Sequence, residues 1–212
     1  MIRSILFVSA MVAIKLSAAS FPDPPSEPHA PAKGKETVVL AGGCFWGVEA
    51  VFEHLRGVSE AVSGYAGGSK SSAQYETVST GRTGHAESVK VTYDPAQITF
   101  GTLLKVYFSV AHDPTQLNRQ GPDSGPQYRS EIFYTNPEQK QVAEDYIRKL
   151  DDAKVYRKPI VTKVASLEGF YAAESYHQHY LDRNPRDPYI VFNDLPKLRR
   201  LQEDYPDLLK KK

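Results

Sequence analysis

The sequence predicts an α/β (α+β) layer in which helices pack on a mixed sheet, and three observations carry that prediction. Val48, Val51, Phe52 and Leu55 recur at i, i+3, i+4 and i+7, and Leu103, Leu104, Tyr107, Phe108 and Ala111 form a second helical stripe. Glu87 to Tyr93 alternates, with Glu87, Val89, Val91 and Tyr93 on one face and Ser88, Lys90 and Thr92 on the other, which is the period of a strand. The elements run strand, helix, strand, strand, helix, strand, helix, strand, an order that layers helices on a sheet. With 212 residues, 41% of them hydrophobic and 24% charged, the chain is one globular domain with short extensions.

Met1-Ile2-Arg3, the apolar run Ile5 to Ile14 and the small residues Ser17-Ala18-Ala19 have the layout of a secretory signal over residues 1–19, cut after Ala19, although Lys15 interrupts it. The run is too short to span a bilayer, and its rivals are an uncleaved amphipathic leader or a mitochondrial presequence. Export, to a periplasm or to the outside, is the expected destination. Residues 20–35 carry Pro22, Pro24, Pro25, Pro28 and Pro31, a semi-extended linker. The folded domain is then 36–205, and 206–212 is a tail ending in the solvated Lys210 to Lys212. Losing Arg3 and Lys15 with the leader leaves 24 basic against 25 acidic residues. Near-neutral charge with no basic face argues against a nucleic-acid partner, and a monomeric core is expected.

Within the domain, Glu36 to Ala41 is a β-prone run and the helix after Cys44 leads to a second strand, Val58 to Tyr65, closed by the turn Ala66-Gly67-Gly68-Ser69. Residues 71–85 are polar and turn-rich. Thr99 to Ala111 reads as a helix ended by Asp113-Pro114, and His112 to Gln127 as a long irregular loop of the functional kind. Tyr128 to Tyr134 follows as a strand, Asn136-Pro137 opens a helix to about Leu150, and Pro159 to Ala165 is another strand.

Cys44, the only cysteine, stands beside Trp46, the only tryptophan, in Gly42-Gly43-Cys44-Phe45-Trp46-Gly47, between a strand and a helix. Free N–H groups and the helix dipole favour an anion there, which suits a reactive thiol; the bland alternative is an inert cysteine packed as a small hydrophobe. Glu87 lies on the apolar face of its strand, where desolvation favours its proton-carrying form and fits it for general-acid work; the alternative is a rim position in water. Glu174 and His177 share a face if Glu174 to Leu181 is helical, as metal ligands can, with His179 nearby. No second ligand pair accompanies them, so no metal is expected and a hydrogen-bonded histidine in helix packing is the reading.

Gly43-Cys44-Phe45-Trp46-Gly47, Gly64-Tyr65-Ala66-Gly67-Gly68, Gly84-His85-Ala86-Glu87, Asp113-Pro114-Thr115-Gln116, Asn118-Arg119-Gln120-Gly121, Gln127-Tyr128-Arg129-Ser130 and Tyr176-His177-Gln178 closely resemble the peptide methionine sulfoxide reductase A family over residues 37 to about 185. The resemblance implies a two-layer sandwich with a split βαβ, ferredoxin-like core, reduction of the S epimer of methionine sulfoxide, and no bound metal or cofactor. It makes Cys44 the nucleophile on sulfur, Glu87 the acid that protonates the departing oxygen, and Tyr75 and Tyr128 the phenols that hydrogen-bond that oxygen. Phe45 and Trp46 become the pocket for the S-methyl group, supported by Asp123 and His177. Substrates would be oxidised proteins, peptides or free methionine sulfoxide, leaving a sulfenic acid on Cys44. Many members carry resolving cysteines in the C-terminal tail, and this chain has none. An external thiol, from glutathione, thioredoxin, glutaredoxin or an exported partner, must then restore Cys44.

Two other classes fit the same residues. A cysteine-histidine hydrolase would pair Cys44 with His85, His177 or His179, and a binding module would use Phe45 and Trp46 as a cage for oxidised methionine.

Overall fold

The computed structural model describes residues 21–25 and 34–211; the leader 1–19, most of the Pro-rich segment and Lys212 lie outside the described residues. Strand β1 (Glu36–Gly42) leads through helix α1 (Phe45–Glu53) to β2 (Val58–Ala66). After the single turn α2 (Tyr75–Val78) come β3 (Ala86–Tyr93) and α3 (Phe100–Val106). The short hairpin β4 (Arg119–Gln120) and β5 (Asp123–Ser124) precedes β6 (Ser130–Tyr134), α4 (Pro137–Asp152), β7 (Lys163–Ser166) and β8 (Phe170–Ala172). Helices α5 (Tyr180–Arg183) and α6 (Leu195–Asp204) complete the order.

Six strands form one sheet in the order β7-β6-β1-β3-β2-β8. β1 runs antiparallel to both β3 and β6, β2 is antiparallel to β3 and to β8, and only β6 and β7 are parallel. The four central strands with α1 and α3 therefore make two interleaved βαβ units, the split ferredoxin-like arrangement in a mixed sheet. The alternation of β3 appears as expected: Val89, Val91 and Tyr93 are buried in the main core together with Val38 and Leu40 of β1, Phe52 of α1, Leu103 and Leu104 of α3 and Tyr146 of α4. Each such side chain contributes about 1.5–3 kcal/mol by leaving water. The opposite face buries a smaller cluster of Val39, Ala41, Ala66, Ala86 and Phe133.

Local chemistry sets the helix starts. Thr99 accepts from the Thr102 N–H and Asn136 from the Gln139 N–H, each capping its helix, with Pro137 at the first helical position of α4. Four sequence expectations shift. The helix from Thr99 is α-helical only to Val106 and widens into a π turn over Tyr107–Ala111, where the Ser109 hydroxyl bonds back to the Lys105 carbonyl. The strand expected from Tyr128 starts at Ser130, because Pro126–Tyr128 forms a 3-10 turn, and the one expected from Pro159 starts at Lys163. Residues 174–179 are turns rather than a helix, and His179 takes the left-handed conformation at φ 52°.

The extensions hold to the domain more than their composition suggests. Phe21 is buried against Tyr156, the Pro22 carbonyl accepts from the Tyr146 hydroxyl at 2.9 Å, and Asp23 pairs with Lys105. At the other end the Leu208 carbonyl accepts from the Arg56 N–H at 2.7 Å and the Lys210 N–H donates to the His54 carbonyl at 2.9 Å, so the tail is paired before its lysines reach solvent.

Candidate active site

Cys44 occupies the N-cap of α1 with an extended backbone, φ −53° and ψ 125°, and is 8% exposed. The sharp bend before it rests on Gly43, whose φ of 92° is left-handed and whose missing side chain leaves room for Gln120. The next residue ties the site to the sheet: the Phe45 N–H donates to Glu87 Oε2 at 3.1 Å. Glu87 is 3% exposed on β3, opposite Tyr65 of β2. Thiol and carboxyl line one cavity of about 190 Å³ with Phe45, Trp46, Tyr75 and Tyr128. Asp123 and Tyr189 complete its wall.

The aromatic side of the cavity is braced from behind. The Trp46 indole N–H donates to His177 Nδ1 at 3.1 Å, and the indole stacks on Tyr180 at 3.8 Å, 10° from parallel. His177 lies 5.0 Å from Phe45 and 4.4 Å from Tyr75, ring to ring, which makes it the hinge between the two apolar walls. Glu174 does not pair with it as a ligand. Its Oε1 accepts from the Tyr75 N–H and its Oε2 from the Tyr65 hydroxyl, both at 2.9 Å, anchoring the short turn that presents Tyr75.

Electrostatics divide the two reactive groups. Desolvation pushes the Glu87 carboxyl up to about 8, against the Phe45 hydrogen bond and with help from Asp123, so it carries a proton at neutral pH. Burial, with the negative charges of Glu87 and Asp194, pushes the Cys44 thiol well above its ordinary value; the Trp46 N–H and Lys197 act the other way. Desolvation and the charge on Glu87 likewise raise Tyr75 and Tyr128, which keeps both phenols as donors.

All eight residues singled out in the sequence therefore meet at or directly behind one cavity. Tyr189 was missed. Its hydroxyl donates to Asp123 and its ring meets Trp46 edge-on at 5.8 Å; the signal was an aromatic bounded by Asp187-Pro188 in a stretch that reads as a terminal tail. A larger open groove of about 860 Å³ near Phe21, Tyr156 and Arg200 includes neither Cys44 nor Glu87. Among the described residues, Glu49, Glu53 and His179 are the one set that brings three metal-type ligands together, but His179 Nδ1 and Glu53 Oε1 already pair at 2.5 Å.

None of the histidines a hydrolase would need lines the cavity with Cys44: His85 Nε2 donates to the Ser69 carbonyl at 2.9 Å, His177 accepts from Trp46 behind the wall, and His179 pairs with Glu53. A thiol beside a proton-bearing acid, with no imidazole to deprotonate it, is the equipment of a cysteine-dependent reductase. Comparison with known proteins leads to the same class. The family model described as peptide methionine sulfoxide reductase matches residues 36–208. A peptide methionine sulfoxide reductase MsrA 2 of Mesorhizobium japonicum is 62% identical over 181 residues, covering 85% of this chain and 93% of the relative. One from Synechocystis is 54% identical, covering 84% of each. Among solved structures, methionine sulfoxide reductase A of Corynebacterium diphtheriae is similar with a TM-score of 0.64 at 39% identity, covering 79% of this chain and 85% of that one. Mxr1 of Saccharomyces cerevisiae in reduced form gives 0.67 at 34%, covering 72% and 87%. The chain belongs to the peptide methionine sulfoxide reductase family.

Proposed function

We infer that this chain reduces the S epimer of methionine sulfoxide, peptide-bound or free, by attack of Cys44 on the sulfoxide sulfur. The observation that carries the reading is the pairing of a lone buried thiol with a carboxyl that holds its proton at neutral pH, tied to the residue next to that thiol. Sulfur attack needs the S–O bond to break, and oxygen leaves far more readily once protonated; Glu87 supplies that proton and Tyr75 and Tyr128 hold the oxygen. Cys44 Sγ bonds to the sulfoxide sulfur as the oxygen takes one proton from Glu87 and one from the thiol and leaves as water. That water then attacks Cys44 Sγ, the sulfur–sulfur bond breaks to release the thioether, and Glu87 takes back its proton. Methionine and a sulfenic acid on Cys44 are the products. Phe45 and Trp46 receive the methyl-sulfur group, and Asp123 and His177 fix the phenol and indole around it.

Because Cys44 is the only cysteine, an external thiol completes the cycle. It condenses with the sulfenic acid to a mixed disulfide and water, and a second thiol releases Cys44. Thioredoxin, glutaredoxin and glutathione are the reductants considered. With the basic start and apolar run of residues 1–19, the enzyme works after export, repairing oxidised proteins under oxidative stress.

Single-turnover reduction of each epimer by pre-reduced protein, followed by thiol titration and intact mass, tests the reading. One methionine from the S epimer alone, with one thiol lost and regained on adding thiol, supports it. No methionine from either epimer overturns it.

A further inference from the structure

Helix α6 continues without a break from the helical and π turns over 188–194. Asp194, helical in backbone where the two stretches meet, makes no capping bond; its carboxylate pairs with Lys197 at 3.0 Å. Both groups are withdrawn from water, the Asp194 side chain fully and that of Lys197 to 17% exposure, and Asp194 Oδ2 has no hydrogen-bond partner among the described residues. A buried ion pair that leaves a carboxylate oxygen unsatisfied costs a fold stability, and such a group calls for a functional explanation.

Gly47 shows where the pair is aimed. Asp194 Oδ1 and Lys197 Nζ fill the space a side chain at position 47 would need, the ammonium 2.8 Å from where the Cβ would stand, so the pair is pressed onto the first turn of α1 three residues after Cys44.

We propose that Lys197, the ion-pair partner of Asp194, is the positioning residue that supplies positive charge to Cys44 whenever its sulfur becomes anionic, as thiolate or as sulfenate. The reading rests on Cys44 being the reactive group. The other groups facing that sulfur work against an anion: Glu87 from β3 when ionised, Asp194, and the phenols of Tyr75, Tyr128, Tyr180 and Tyr189 when ionised. Lys197 is itself faced by Asp194, Asp123 and His112, and Asp194 by Asp123 and Asp187. The pair is thus a charge balance whose two members push Cys44 in opposite directions.

The test is the pH dependence of Cys44 alkylation by iodoacetamide, with thiolate absorbance near about 240 nm as a second readout, in the full chain; neither measurement requires turnover. Lys197→Met should slow alkylation at fixed pH about tenfold, equivalent to one unit in the thiol pKa, and Lys197→Arg should restore most of it. Asp194→Asn should speed alkylation. Opposite movement supports the proposal even if turnover of methionine sulfoxide is absent, and failure of the reductase reading would be seen separately in the epimer assay. An unchanged profile in Lys197→Met, or slowing in both variants with a common fall in melting temperature, overturns it. If Lys197→Met does not fold, Asp194→Asn decides alone: a faster reaction supports the charge balance and a slower one removes it.

Discussion

The Phe45 N–H donates to Glu87 Oε2 at 3.1 Å, so the backbone of the residue after Cys44 holds the carboxyl proposed above to protonate the leaving oxygen. The bond joins α1 to β3 across 42 positions, and it ties a helix start to a sheet centre. Glutamine keeps an oxygen for this bond but has no proton to give. Glu87→Gln should therefore fold normally and lose about 10²–10⁴ in single-turnover rate. A loss under about fivefold would remove Glu87 from the acid role.

The same carboxyl sets an alkaline limit. With its pKa pushed up to about 8, the acid form is present at neutral pH and disappears as pH rises through that value. The single-turnover rate of the wild type should fall on that limb, and Glu87→Gln should not show it. A wild-type rate that is level up to pH of about 10 would contradict the assignment.

His177 is buried and accepts from the only tryptophan, which makes that indole its own reporter. His177→Ala leaves the Trp46 N–H without its acceptor and opens the wall between Phe45 and Tyr75. KM for methionine sulfoxide should rise about tenfold, the cost of one lost hydrogen bond and some packing, with a smaller change in kcat and a red-shifted fluorescence maximum. A fall in kcat with KM unchanged would place His177 in the chemistry instead.

Glu49 is buried on α1, accepts from the His179 N–H at 3.0 Å, and is pushed up to about 8 by desolvation and by Glu53. Its folded value lies above its unfolded one, so its contribution to stability is fully present at pH below about 4.5 and is lost as pH rises through about 8; Glu87 follows the same window. Thermal unfolding at pH 5, 7 and 9 should show a declining midpoint in the wild type and a shallower decline in Glu49→Gln, which keeps the acceptor. Parallel declines in the two proteins would refute this account.

Phe21 is 5% exposed although it precedes the folded domain by 15 positions. Phe21→Ala should cost about 3 kcal/mol, lowering the melting temperature by about 6–12 °C, with turnover unchanged. A shift below about 2 °C would mean that this contact does not hold in solution.

What could be read in advance depended on range. Cys44, Glu87 and the alternation of β3 were legible because a helix start and a strand face are local patterns, visible in ten residues. The ferredoxin-like core and the phenols came through motif resemblance. Tyr189, Asp194 and Lys197 belong to the site only because α6 folds back onto α1, and no spacing in the last 30 residues announces that. The π turn at Tyr107–Ala111 keeps the apolar stripe of an ordinary helix, so its extra residue per turn left no trace in the pattern. Residues 174–179 failed for the opposite reason: the stretch has polar residues at helical spacing, but Glu174 is drawn to Tyr65 and Tyr75 and His179 to Glu53, and these contacts outcompete the helix.

Most domains fray at both ends, yet here Phe21 to Asp23 grip the face formed by α3, α4 and Tyr156, while Leu208 to Lys210 are laced to the end of α1. Exopeptidases working inward from either side would meet bound backbone before they reached the catalytic framework.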